Sequence, residues 1–177
     1  MWLDSSTGST TTTGSSATHS ALIGTTPVGK TVLLRARTKT TGCKLGPNPD
    51  RACSPGAYYR GLTKNVICSS TFRTSTIRNV PESEKHAIEQ EYGMAPGSYG
   101  STLEIDHIVS LELSGSNDIA NLFPEKAAAH PGYHVKDKLE NRLHSMVCAG
   151  QIGLRAAQEQ IAVNWQKLYK KVFGVAP

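Results

Sequence analysis

Residues 103–123 read "LEIDHIVSLELSGSNDIANLF". Leu103, Ile105, Ile108 and Leu111 place apolar side chains around an acid and an imidazole, as at the start of a half-buried strand. "SGSND" at 114–118 is turn chemistry, and a further apolar run follows it, so the stretch predicts a β-hairpin. A strand core gains nothing from the adjacent Asp106 and His107 unless that pair has chemical work to do. Neighbours on a strand point to opposite faces, and a twist, a bulge or a strand end is needed for both to reach one substrate.

Working outward, "HVKDKLENRLHSMVCAG" (134–150) spaces Val135, Leu139, Leu143, Met146 and Val147 as one helical face and stops at Gly150. "LRAAQEQIAVNWQKLYKKVFG" (154–174) repeats the pattern with Ala157, Ile161, Trp165, Leu168 and Val172. That shared face reads Trp165 as core rather than as a base-stacking platform. Upstream, Pro81 with Glu82 and Glu84 opens a short helix that ends at Gly93. Earlier still, "KTVLLRART" (30–38) reads as a strand and "NVICSSTFRTSTIRNV" (65–80) as one or two more, separated by the Pro- and Gly-rich turns of 43–61. Residues 1–26, in which the stretch 5–26 is almost all Ser, Thr, Gly and Ala, are too poor in apolar surface to offset the entropy of ordering and read as a disordered tether. The expectation is a single α+β domain over 27–177: a basic β-rich part at 27–80, a core at 101–150 and a C-terminal helix at 153–173.

The net charge of +5 is unevenly spread. Residues 30–80 hold ten Lys or Arg against one acid, Asp50, a net +9, whereas 81–100 and 101–149 each sum to −3. A basic flank beside an acidic centre suits a phosphate-backbone binder with a cation site, the plainer alternative being solvated surface. Four cysteines admit three pairings, and their spacings contain no C-x2-C pair, which disfavours zinc. The preferred pairing joins Cys43 to Cys53 across the "KLGPNPDRA" loop and Cys68 to Cys148, tying an N-terminal strand to a later helix; buried free thiols are the alternative. No apolar run approaches the ~18 residues of a membrane span. Disulfides behind a Ser/Thr-rich tether lead us to expect an exported or cell-surface protein, with the cytoplasm as the alternative.

Asp106 and His107 at the end of a strand, Asn121 with Leu122 after a turn, and then a helix together resemble the HNH, or ββα-metal, nucleases. "DHIVSLEL", "SGSND", "NLFPE" and "KDKLENRLHSMVCAG", with "CSPGAYYRGLT" and "VIC" upstream, resemble a bacterial subgroup of that family over roughly residues 43–172. The resemblance implies a ββα-metal core. It makes His107 the general base, Asp106 a ligand of one divalent cation, and Asn121 the brace that holds the loop and the His107 ring. Mg2+ is the implied ion, with Mn2+, Zn2+ or Ni2+ as alternatives. A hard cation can neutralise a leaving oxygen, and an imidazole can activate water near neutral pH.

The third position departs from the family pattern. The common spacing puts the last ligand at His130, but Pro131 and Gly132 follow it as a turn signal. His134, at the start of the next helix, is the preferred ligand, with His130 and Asn141 as alternatives. Arg73, Arg78, Lys136, Lys138 and Arg142 are expected to contact phosphate. Glu104 and Glu112 read as solvent-side residues, and His86 and His144 as solvated or packed. The resulting expectation is a metal-dependent, sequence-tolerant DNA endonuclease, with RNA as an alternative substrate. Two alternatives stand beside it: a noncatalytic nucleic-acid-binding protein on an HNH scaffold, and an exported toxin effector with an immunity protein as partner.

Overall fold

The computed structural model describes residues 22–23, 26–127 and 132–177. The predicted tether lies outside them, except that β1 (Leu22–Ile23) pairs antiparallel with β2 (Thr26–Pro27). The described chain is α+β, made of small antiparallel pairs and four α-helices. The opening stretch forms the pair that positions the site: β5 (Leu103–His107) runs antiparallel to β6 (Leu122–Lys126), with Asp106 opposite Phe123 and His107 opposite Leu122. Pro124 sits inside β6 opposite Ile105, which a two-stranded pair tolerates because each strand keeps an edge free of ladder bonds.

The expectation of a β-rich part at 27–80 is corrected. Its strands are β3 (Thr31–Leu33) and β4 (Ala57–Tyr59), three residues each. Residues 65–80, expected as strand, instead carry the short helix α1 (Lys64–Ile67) and a 3-10 turn at Thr74–Thr76. Their β-branched composition favours a strand, but no strand faces them to pair with. The backbone closes on itself, with the Val66 and Ile67 N–H groups donating to the Thr63 carbonyl at 3.0 and 3.1 Å. Ile67 and Ile77 enter the core from these turns.

Helix α2 (Glu82–Glu91) starts after Pro81 with two acids in its first turn, as expected, and buries Ile88. Beyond it, α3 (Tyr133–Cys148) and α4 (Leu154–Phe173) pack on each other. Leu139, Leu143 and Val147 from α3 meet Ala157, Ile161, Trp165 and Leu168 from α4, with Ile108, Leu113 and Phe123 completing the core. Trp165 is fully buried and its indole N–H donates to the Pro47 carbonyl at 2.5 Å, so it is core. At Asn164 the α4 backbone leaves helical geometry, and the Asn164 side chain restarts it by accepting the Lys167 N–H at 2.9 Å.

Both disulfides form with the preferred pairing, Cys43–Cys53 and Cys68–Cys148, at Cα separations of 6.1 and 5.5 Å. Cys68 caps α1 rather than ending a strand. Two disulfides are compatible with an exported protein. No helix among the described residues is long and apolar enough to cross a membrane.

Candidate functional site

The connection between β5 and β6 is organised by one side chain. Asn121 is fully buried and makes four bonds to backbone: its Oδ1 accepts from Val109 N–H (2.9 Å) and Ala57 N–H (3.1 Å), and its amide donates to the carbonyls of Val109 (3.0 Å) and Ser116 (2.8 Å). Asn121 therefore braces the loop, as expected, and also anchors β4. The loop is tight as well: a Cβ on Gly115 would come within 1.7 Å of the Val109 carbonyl oxygen, so only glycine fits.

The His107 ring is held by a residue the sequence reading passed over. Asn117 donates its amide to the Ile77 carbonyl (2.6 Å) and the Tyr59 hydroxyl (3.0 Å), which leaves its Oδ1 to accept from His107 Nε2 at 3.1 Å. With the proton on Nε2, the lone pair sits on Nδ1, which is buried with no protein partner. Asn121 does not touch the ring. His107 is 3% exposed, and burial pulls its pKa down to about 4 despite the neighbouring Asp106 carboxylate and the Asn117 bond, so the ring is neutral at neutral pH.

His107 lies in the wall of a cleft of about 450 Å³ that also carries Arg78, Lys85, Tyr99 and Glu104. Buried Glu89 shapes this wall by accepting the Gly97 and Tyr99 N–H groups at 2.6 Å each. Lys85 sits 4.6 Å from the centroid of the Tyr99 ring. Arg78 also borders a second cleft, of about 270 Å³, with Ser110, Glu112, Asp137, Glu140 and Asn141. Burial raises the pKa of Glu112 and Asp137 there, and neighbouring carboxylates add to the shift. Glu104 and Glu112 thus face clefts rather than open solvent.

Asp106 points the other way, toward α3. Its Oδ1 accepts the His107 N–H at 2.8 Å and its Oδ2 accepts the Lys136 ammonium at 2.7 Å. Burial is the largest influence and raises its pKa, but the Lys136 charge, the hydrogen bond from Lys136 and the other neighbouring groups together outweigh it and hold the carboxyl below its usual value. Glu125 lies beside it with neither carboxyl oxygen accepting a bond. Burial first, then the Asp106 and Glu140 carboxylates, push its pKa to about 10 against the pull of Lys136, so it keeps its proton. Lys136 is 1% exposed. Its three ammonium hydrogens go to Asp106, the His107 carbonyl (2.7 Å) and Glu140.

Several expected site residues move accordingly. Lys136 is not available to phosphate. Arg73 is exposed but folds back on the Ser70 and Phe72 carbonyls, at 2.7 and 2.8 Å. Lys138 and Arg142 are exposed on α3, and Arg78 is exposed between the two clefts. His134 is exposed in the first turn of α3, its ring against Tyr133. His130 lies outside the described residues. Asn141 donates to the Asp137 carbonyl at 3.0 Å on the rim of the second cleft.

The residues around Asp106 do not fit the implied divalent cation: both oxygens of its carboxylate are already bonded, one of them to a buried cation. The group of potential metal ligands found among the described residues is Cys68, His144 and Cys148. There the two sulfurs are bonded to each other, and His144 Nε2 bonds the Ile67 carbonyl at 3.0 Å. Comparison of the chain with family models, curated proteins and solved structures gave no match.

Proposed function

We propose that the chain is an HNH-type endonuclease that hydrolyses DNA phosphodiester bonds with little sequence preference. The observation that carries this reading is the His107 imidazole. Its tautomer is set by Asn117, its buried Nδ1 has no protein partner, and the residue lines a cleft that holds Arg78 and Lys85. In this reading a phosphate rests against the two cations and Nδ1 takes a proton from water. The water oxygen bonds to phosphorus as the bond to the leaving sugar oxygen breaks, and that oxygen takes a proton from solvent. Arg78 and Lys85 meet the charge growing on the phosphoryl oxygens. The order of β5, β6 and α3 around the Asp-His pair also supports the family reading.

The test is incubation with supercoiled plasmid. The native chain is expected to nick and then linearise it, and His107→Ala to remain folded while losing about 10^2 to 10^4 in rate. Full activity in that variant would remove the base assignment. One observation favours a second reading, a noncatalytic nucleic-acid-binding protein on the same scaffold: the acid that the family reading assigns to a cation is here bonded to Lys136. Retarded but intact plasmid, with and without divalent ions, would select it. Either protein would work in the oxidising setting that its two disulfides suit.

A further inference from the structure

We infer that Lys136 is the resident cation of the Asp106 site, taking the place of a divalent metal ion, and that hydrolysis at His107 proceeds without added metal; the second half rests on the nuclease reading above. The ammonium is buried and has no spare hydrogen. It bonds Asp106 Oδ2 at 2.7 Å, the His107 carbonyl at 2.7 Å and Glu140. One of its partners is thus the backbone of the base itself. Asp106 is held from two sides, by the His107 N–H on Oδ1 and by Lys136 on Oδ2.

A divalent ion needs several oxygen ligands at about 2.1 Å. At Asp106 it would stand a few ångströms from a fixed ammonium, and two positive charges that close in a buried site repel strongly because little solvent screens them. Lys136 cannot easily withdraw, because it projects from the first turn of α3 and is paired one turn on with Glu140. Lys136 does not reach the phosphate. It is a positioning residue that locks the end of β5 and so the backbone of His107. Charge on the phosphate is left to Arg78 and Lys85 across the strand. The proton and bond changes are those given above, and none of them requires a metal.

The test titrates Mn2+ into the full chain, followed by electron paramagnetic resonance, alongside plasmid cleavage in Mg2+ and in EDTA. The native chain should leave the free-Mn2+ signal undiminished at equimolar ion and should cleave in EDTA with no loss of rate. Lys136→Met should acquire a Mn2+ site that Asp106→Asn in the same chain removes. Stoichiometric Mn2+ uptake by the native chain that Asp106→Asn abolishes would overturn the inference, whether or not the Lys136 variant folds. So would cleavage that appears in Mg2+ and vanishes in EDTA, an outcome that leaves the nuclease reading standing. Absence of cleavage in both conditions would instead sink the nuclease reading, and the native-chain Mn2+ titration would still decide the role of Lys136.

Discussion

His107 titrates well below an ordinary imidazole because burial disfavours its charged form. The folded value of about 4 lies under the unfolded ~6.5, so the unfolded chain binds the extra proton between them. The stabilising contribution is therefore complete above pH ~6.5 and lost as pH falls through 4, roughly 3 kcal/mol in all. Urea unfolding at neutral pH and near pH 4.5 should show this loss in the native chain and a smaller one in His107→Gln; equal losses would mean that the ring is not the titrating group. A second expectation concerns Asn117. Asn117→Asp keeps an acceptor for Nε2–H but adds a negative charge, so the acid limb of the cleavage profile should move to higher pH with activity retained. An unmoved midpoint would leave Asn117 a purely structural role. Asp106, His107 and Asn121 stood out in the sequence as an acid, an imidazole and an amide set among apolar strand positions. Asn117 was not, since an Asn in "SGSND" looks like any turn residue, and Lys136 read as a phosphate contact because nothing in the sequence shows that its side chain turns inward.

The helices were legible because their apolar spacing is regular and their ends carry Pro or Gly. The break at Asn164 was not, because Ile161, Trp165 and Leu168 keep helical spacing straight across it. Residues 65–80 misled because β-branched residues suit a strand only where a partner strand exists. The β5–β6 connection is a long braced loop, not a tight hairpin turn, and its order depends on Asn121. Asn121→Ala would strip four backbone bonds from buried groups, each costing about 1–3 kcal/mol when left unmade. The expected result is a loss of stability of at least ~3 kcal/mol in chemical unfolding, together with loss of cleavage. A variant of native stability would show that the loop is held by packing alone.

Across the molecule, the +9 segment contributes less free charge than its count suggests. Arg37 is paired with Glu91, Lys39 with Asp50, and Arg73 with the Ser70 and Phe72 carbonyls. The charge beside His107 comes from Arg78 and, from outside that segment, Lys85. Each phosphate contact adds about −0.9 to the slope of log affinity against log salt on duplex DNA. Arg78→Gln with Lys85→Gln, measured in a His107→Ala background, should flatten that slope and weaken binding alike on unrelated sequences. An unchanged slope would move the grip to Lys138 and Arg142.

The Cys68–Cys148 bond, 80 positions apart in the chain, makes the intervening polypeptide a closed covalent ring. Arg78, Lys85, His107, Asn117 and Lys136 all belong to it. A protease that cuts one peptide bond inside the ring opens it without parting the molecule, and both halves of the site stay in reach of each other. Such a nicked chain should run as one species without reductant and as two with it. It should regain any cleavage activity after mild denaturation only while the sulfurs remain joined.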